Sequence, residues 1–100
     1  MADLPVRINP HALEEAEGAR AWYAERNPVA ANLFLDELHA AVERVHEAPE
    51  RWPRLRRNGD FRRCFFPNFP YSLIYRIRVD EIEVTAIAHH RRRPNYWKRR

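Results

Sequence analysis

Apolar and polar residues alternate with a period of two near the start of the chain and again in its last third. Residues 4–9 read LPVRIN, and the segments 71–79 and 81–89 alternate in the same way. This period is typical of β-strands that bury one face. We therefore predict a strand over 4–9 and, with 61–66 as a further β-segment, an antiparallel meander of three strands after residue 60.

The alternation also predicts which side chains share a face of the sheet. In 71–79 one face is formed by Tyr71, Leu73, Tyr75 and Ile77. In 81–89 one face is formed by Ile82, Val84, Ala86 and Ala88. Successive side chains of a strand point to opposite faces, so each set should lie on one side of the sheet.

Between the strand regions the apolar spacing becomes that of an α-helix. In residues 10–26 the apolar face is Ala12, Leu13, Ala16, Ala19 and Tyr23. In residues 29–48 it is Ala31, Phe34, Leu35, Leu38, Ala41, Val42 and Val45. Asn9 is suited to cap the first helix, and Asn27 and Pro28 separate the two helices. A break this short predicts an antiparallel helical hairpin.

The predicted order β-α-α-β-β-β corresponds to one small α+β domain over residues 1–100. The helical hairpin has to cover the apolar face of the sheet. The long connection after the first strand lets that strand join the sheet beside one of the last three, so we expect a mostly antiparallel, mixed sheet. Pro5 has no N–H to donate, so we expect it either on an edge strand or at the first pair of the strand.

Charge is divided unevenly between the two halves of the chain. The net charge is +4, but residues 1–50 contain four cations and ten carboxylates, whereas residues 51–100 contain fourteen cations and four carboxylates. All the cations except Lys98 are arginines, whose planar guanidinium suits phosphate and carboxylate partners. A one-sided field of this kind favours an anionic partner. The basic tail at about residues 90–100 is the leading candidate to bind it.

Residue content excludes two common kinds of site. The two glycines, Gly18 and Gly59, lie in a predicted helix and a predicted turn, which excludes a glycine-rich phosphate loop. Ser72 is the only serine and lies within a predicted strand, so serine-hydrolase chemistry is not expected. Cys64 is the only cysteine and cannot form an intrachain disulfide.

We predict a cytoplasmic protein without a metal or cofactor. His39, Glu43 and His46 share one face of the second predicted helix, but their charged surroundings indicate a solvated surface. No run of apolar residues is long enough for a membrane helix.

Two kinds of function fit the basic half of the chain. Metal-free RNA cleavage needs a base, a cation that holds the developing charge and a proton donor. Binding without chemistry needs only cations and aromatic side chains. The residues suited to these roles are Arg63, His89, His90, Arg91, Tyr96 and Trp97. Each also has a structural alternative, since histidines and aromatic residues often pack a tail onto a core and arginines often form a solvated edge.

Three segments quoted together carry a family resemblance. They are ARAWYAER in the first predicted helix, PERWPRLRRNGDFRRCFFPNFPYSLIYRI, and AIAHHRRRPNYW near the end. Their order over nearly the whole chain resembles the RelE/ParE superfamily of toxins from type II toxin–antitoxin systems. The resemblance implies a small toxin that inhibits growth. It also implies a cognate antitoxin whose acidic, amphipathic C-terminal segment wraps over the helices and the sheet.

The superfamily acts on two targets: RelE-like toxins cut mRNA in the ribosome, and ParE-like toxins poison DNA gyrase. Ser72 lies where the nucleases commonly have an arginine, and the preceding FPY and the ending from His89 or His90 look more like ParE. The resemblance therefore implies a gyrase poison rather than an enzyme. The alternatives are a metal-independent, ribosome-dependent mRNA endoribonuclease and a non-toxic binding module on the same fold.

The resemblance and the charge pattern together define the candidate residues. A nuclease would use Arg63, His90 and Tyr96. Binding of the target would use Arg62, Arg63, Arg91, Arg92, Arg93, Tyr96 and Trp97. Binding of the antitoxin would use Leu35, Leu38, Val42, Arg76 and Arg78.

Overall fold

Six elements follow one another in the predicted order in the computed structural model, which describes residues 3–100. They are β1 (Val6–Ile8), α1 (Pro10–Arg26), α2 (Pro28–Glu47), β2 (Phe61–Phe65), β3 (Tyr71–Ile77) and β4 (Ile82–His89). Residues 1 and 2, which the predicted domain includes, lie outside the described part. The observed elements agree with the predicted ones to within about two residues at each end.

Two asparagines determine where the helices begin and end. The side chain of Asn9 accepts a hydrogen bond from the backbone N–H of His11 at 2.9 Å and so caps α1. Asn27 ends α1 by donating its backbone N–H to the carbonyl of Tyr23, and its side chain accepts from the N–H of Val29 to begin α2. One residue therefore serves both helix ends, and the two helices form the predicted hairpin.

The sheet has the strand order β1-β4-β3-β2. β1 is parallel to β4, and the other neighbours are antiparallel. The predicted mixed sheet is confirmed. β1 lies at an edge, and Pro5 lies just before its first residue, a position that tolerates a missing N–H. Because β1 has only three residues, it pairs with the first half of β4 and leaves the second half without a neighbour on that side.

A bulge at Thr85 interrupts the alternation along β4. Ile74 pairs with Ala86 and Tyr75 pairs with Val84, so Thr85 is an extra residue between two pairs. An extra residue reverses the facing of every side chain after it. Val84 and Ile87 therefore face the helices, whereas Ala86 and Ala88 face the other side of the sheet. The prediction that Ala86 and Ala88 share a face with Val84 is wrong for this reason.

Both faces of the sheet are covered. The main core lies under the helices, and its largest fully buried members are Phe34, Val45, Leu73, Tyr75, Ile82 and Val84. A smaller cluster on the opposite face contains Ile74, Ala86, Ala88 and Trp97. The α+β class with a helical hairpin packed on a mixed sheet is thus confirmed.

Most residues of the predicted apolar faces of the helices lie in the core or pack against it, but Leu13 of α1 and Leu35 of α2 do not. α1 contacts the sheet through Ala12, Ala16 and Ala19, and Leu13 is 60% exposed. On α2 the side chains of Leu35, Leu38 and Val42 are only partly buried. Small residues lie toward the sheet because the strands and the loop before β3 supply the bulky aromatic side chains, which stack around Phe34.

Glu37 is buried on the sheet side of α2, where the sequence predicts no polar residue. Its carboxylate accepts hydrogen bonds from the backbone N–H and the side-chain amide of Asn68, at 3.0 and 2.6 Å. A buried carboxylate needs such partners to offset its desolvation. Glu37 therefore fixes the loop between β2 and β3 against α2.

Candidate functional site

A basic cavity of about 280 Å³ opens on the face of the sheet that lies away from the helices. It lies between β3, the end of β4 and the basic tail. Its polar lining residues are Arg56, Arg63, Ser72, His89, His90, Arg92 and Asn95, and Trp97 forms part of its wall. These residues include five of the predicted candidates: Arg63, His89, His90, Arg92 and Trp97.

Strand register brings Ser72 and His90 together in this cavity. Ser72 pairs with Ala88, two residues before His90, and the backbone N–H of His90 donates to the carbonyl of Pro70 at 2.8 Å. The Oγ of Ser72 and the Nε2 of His90 are 3.0 Å apart. The guanidinium of Arg63 lies above the ring of Phe65, with its carbon 4.4 Å from the ring centre. One hydroxyl, one imidazole and one cation thus meet at the cavity.

His89 borders the cavity, but its ring faces the other side of the strand, against Tyr71, and the residue is only partly buried. Its ring contacts Tyr71 edge to face, and its Nδ1 accepts the backbone N–H of Arg91 at 3.0 Å. Burial, together with the charge of Arg91 and of His90, lowers the pKa of His89. His89 therefore stays neutral near neutral pH and serves mainly to shape the turn into the tail.

The basic tail is held onto α1 by Glu15. The carboxylate accepts hydrogen bonds from the hydroxyl of Tyr96 at 2.5 Å and from two nitrogens of Arg100 at 2.7 and 3.0 Å. It also accepts the backbone N–H of Ile87 at 3.1 Å, which is a group of β4 that β1 is too short to reach. The Thr85 carbonyl at the bulge accepts a further bond from Arg100 at 3.1 Å.

This arrangement turns the phenol of Tyr96 away from the basic cavity, which it does not line. Burial, the hydrogen bond to Glu15 and the charge of Glu15 all raise the pKa of Tyr96. The guanidinium of Arg92 lies above its ring at 4.0 Å. The structure brings Arg63 and His90 together, and it places the third predicted nuclease residue elsewhere.

Trp97 is 7% exposed and packs against Ile74, Ala86 and Ala88. Its ring also packs against Phe61, with the two ring planes at 74° and their centres 6.3 Å apart. It was predicted to bind the target, but its ring faces are used for packing in this structure. A bulge that turns two alanines to this face provides the space for the indole.

The predicted target-binding arginines have different surroundings. Arg62 is partly buried, and its guanidinium donates to the carbonyls of Glu50 and Trp52 at 3.0 and 2.7 Å, which fixes the loop before β2. Arg91, Arg92 and Arg93 are exposed on the turn that follows β4. Arg62 therefore has a structural role, and Arg91 to Arg93 remain accessible to a partner.

Arg76 and Arg78, predicted to bind the antitoxin, are paired with Glu83. The carboxylate of Glu83 is 2% exposed and lies 2.9 Å from Arg76, 3.5 Å from Arg78 and 3.6 Å from Arg7. Burial raises the pKa of Glu83. Hydrogen bonds from Arg76 and Asn9 and the charges of Arg76 and Arg7 lower it by a larger amount, so the pKa lies below its ordinary value.

The other predicted antitoxin residues line an apolar groove of about 420 Å³ between α1 and α2. Leu35, Leu38 and Val42 form one wall, and the exposed Leu13 and Ile8 form the other. Glu17, His39 and Glu43 lie at its rim. Arg76 and Arg78 lie on the opposite face of the sheet, so the five predicted residues form two separate surfaces.

Sequence analysis missed Glu15 and Thr85. Glu15 lies among Ala12, Ala16 and Ala19 at helical spacing, so a carboxylate within the buried face was a usable signal. Nothing in the sequence marks Thr85 as a bulge.

Metal binding and membrane insertion find no support in the described residues. Within residues 3–100 no three His, Cys, Asp or Glu side chains lie close enough together to bind a metal ion. In the same range neither helix has the length and apolar character needed to cross a membrane. Cys64 is fully buried, and burial raises the pKa of its thiol, which disfavours the reactive thiolate.

Comparisons with known proteins identify the family. Residues 6–94 match the family model described as the ParE toxin of the type II toxin-antitoxin system parDE. A solved structure titled as the chromosomal ParDE TA system from P. aeruginosa superposes with a TM-score of 0.76 at 15% identity, over 87% of this chain and 96% of the other. No curated protein sequence matches significantly. The chain therefore belongs to the ParE family of toxins from type II toxin–antitoxin systems.

Proposed function

We propose that this toxin arrests growth by poisoning DNA gyrase and that a cognate antitoxin neutralises it. Family membership over residues 6–94 supports a toxin of the ParE type. The similar solved structure, which is titled as a ParDE system, supports an antitoxin partner for this chain as well.

One observation favours binding over RNA cleavage: the phenol of Tyr96 is bound to Glu15 instead of lining the cavity that contains Arg63 and His90. Cleavage without a metal needs a base, a cation and a proton donor around one phosphate. Here the phenol lies outside the cavity, and the position next to Tyr71 on β3 is an uncharged serine, Ser72. The remaining cations suit recognition of an anionic or acidic surface.

The exposed arginines of the tail are the proposed contact with gyrase. Arg91 and Arg93 extend from a turn that is held at one end by β4 and at the other by the Glu15 bonds to Tyr96 and Arg100. A preorganised cationic surface loses little conformational entropy on binding. Its charge also increases the rate of encounter with an acidic partner.

The groove between α1 and α2 is the proposed docking site for the antitoxin. Leu13, Leu35, Leu38 and Val42 provide an apolar floor of the kind that an amphipathic helix fills. The acidic rim at Glu17 and Glu43 means that the segment in the groove should be apolar and flanked by cations. The acidic residues of the antitoxin would instead reach the basic face around Arg91 to Arg93.

A ribosome-dependent endoribonuclease is the second candidate, and the Ser72–His90 pair favours it. The Nε2 of His90 lies 3.0 Å from the Ser72 hydroxyl, in the cavity that Arg63 lines. An imidazole and a guanidinium at one site are two of the three groups that metal-free cleavage requires.

The two targets predict opposite orders of metabolic arrest. After induction of the toxin in cells, incorporation of labelled thymidine and of labelled methionine is followed in parallel. Gyrase poisoning predicts that DNA synthesis stops first and that a DNA-damage response appears. Cleavage of mRNA predicts that protein synthesis stops first, without DNA damage, and that result would replace the gyrase proposal with the second candidate.

A further inference from the structure

The basic cavity beside Ser72 is lined by cations, other hydrogen-bond donors and apolar side chains, and among residues 3–100 no carboxylate lines it. Arg56, Arg63 and Arg92 line it, together with the hydrogen-bonded pair of Ser72 and His90. Arginines elsewhere in the chain form salt bridges with carboxylates, as Arg76 does with Glu83 and Arg20 does with Glu17. The cations of the cavity have no such internal partner among residues 3–100.

Two buried donors at the cavity have no partner among the described residues. They are the indole Nε1 of Trp97, in a side chain that is 7% exposed, and the Nε of Arg63. Buried donors are almost always satisfied in folded proteins, because losing water without gaining a partner is costly. Both side chains line the same cationic cavity, beside arginines that have no carboxylate partner within the described part of the chain.

An exposed aromatic ring lies beside these donors. Phe65 is 50% exposed on the outer face of β2, under the guanidinium of Arg63 and 5.8 Å from the ring of His90. An adjoining cavity of about 510 Å³ shares Arg56 and Asn95 with the first and adds Arg57 and Lys98, together with one carboxylate, Asp60. The cations thus continue beyond the first cavity along a path that one chain of phosphates could follow.

We propose that the cavity binds a backbone phosphate of a single-stranded nucleic acid, with Phe65 stacking on a neighbouring base. Arginine forks suit phosphate oxygens, and an aromatic ring stacks only on a base that is free of its partner strand. The inference goes beyond gyrase poisoning, because this binding is a property of the isolated toxin.

The most direct test is an NMR titration of the full chain labelled with ¹⁵N. The chain has three tryptophans and so three indole N–H signals, which Trp97→Phe and Trp52→Phe variants assign. On addition of a five-residue oligothymidylate, we expect the Trp97 signal to shift in proportion to occupancy, because the indole lines the cavity that the oligonucleotide would fill. The indole of Trp52, which is also buried and unpaired, serves as an internal control and should not shift. A Trp97 signal that stays in place at saturation would overturn the proposal.

Affinity measurements separate the site from general charge attraction. Arg63→Gln and Arg92→Gln should each weaken binding of the oligonucleotide about tenfold or more, and each should lower the salt slope by about 0.7. Arg51→Gln removes the same charge from an exposed residue at another surface and should change affinity less than threefold. Equal losses in Arg63→Gln and Arg51→Gln would show that no defined phosphate site exists.

Further arms identify the source of the phosphate. If an RNA of matched sequence binds as tightly as the DNA, the phosphate site accepts either backbone. If the RNA binds more tightly, the natural ligand of the site is RNA. Polyglutamate that displaces the oligonucleotide at equal charge concentration would overturn the proposal in favour of a general polyanion surface. Because these assays contain no gyrase, failure here leaves the gyrase proposal standing, and the reverse also holds.

Discussion

Glu15 and Arg100 lie 85 residues apart in the sequence and are joined by two hydrogen bonds of 2.7 and 3.0 Å. The same carboxylate binds the hydroxyl of Tyr96 and a backbone N–H of β4. The first helix and the last residues of the chain are thus connected through one side chain. The basic turn at Arg91 to Arg93 is held between this connection and the end of β4.

Replacing Glu15 should release the tail. Glu15→Gln removes the charge that Arg100 and Tyr96 share, and we expect a loss of roughly 2 kcal/mol in the free energy of unfolding, because hydrogen bonds to charged groups are worth about 1.5–3 kcal/mol. Hydrogen exchange of residues 95–100 should become faster. Glu14→Gln, at the exposed neighbouring position, is the control. Unchanged exchange in Glu15→Gln would mean that Trp97 alone holds the tail.

The exposed arginines of the tail should be needed for toxicity but not for folding. Deleting residues 91–100 would be a poor test, because it also removes Trp97 and exposes Ile74, Ala86 and Ala88. The double variant Arg91→Gln/Arg93→Gln keeps those contacts, and we expect at least a tenfold loss of growth inhibition with the melting temperature unchanged. Arg26→Gln/Arg51→Gln removes equal charge elsewhere and should remain toxic. Full toxicity of the tail variant would contradict the proposed contact.

A charge introduced into the groove between α1 and α2 should prevent neutralisation by the antitoxin without reducing toxicity. Leu13 is 60% exposed, so Leu13→Asp should fold and remain toxic. It should weaken binding of the antitoxin about tenfold or more, because an apolar contact would become a buried, unpaired charge. The binding constant and growth during coexpression both report the effect. Val29→Asp, at a position 75% exposed and outside the groove, should be neutralised normally.

Glu83 should make the protein sensitive to acid. Its pKa in the folded state lies below the ordinary value of 4.5, so the stability it adds is complete above about pH 5 and is lost as the pH falls through the folded pKa. Urea unfolding across this range should show the loss, and Glu83→Gln should flatten it. At pH 7 the same variant should lose about 3 kcal/mol, because it leaves Arg76 without its charged partner. Glu25→Gln, an exposed control, should keep the acid dependence of the native chain.

Most of the fold could be predicted because local signals agreed with the tertiary structure. The period of two, the period of the helices and the caps at Asn9 and Asn27 each specify an element without reference to distant residues. The mixed sheet followed from the one long connection after the first strand, although the neighbour of that strand was not specified. Local pattern and global packing point the same way in these segments.

The sequence failed where contacts between distant residues decide the outcome. No residue near Thr85 indicates a bulge in the sequence. The bulge nevertheless turns the side chains of Ala86 and Ala88 to the face opposite the helices, where they leave space for Trp97. Leu13 has the hydrophobicity of a core residue and lies at the surface, because small alanines suit the close contact of α1 with the sheet. Tyr96 was assigned by its residue type, but its orientation depends on Glu15, which is 81 residues away.

Gyrase poisoning is tested most directly by a cleavage assay with purified components. Toxin, gyrase, ATP and supercoiled plasmid are incubated, and linear DNA with covalently attached gyrase is measured after denaturation. The proposed function predicts linear DNA that increases with toxin concentration, that disappears when the antitoxin is added, and that falls at least tenfold with Arg91→Gln/Arg93→Gln. Plasmid that remains intact and normally supercoiled at saturating toxin would contradict it.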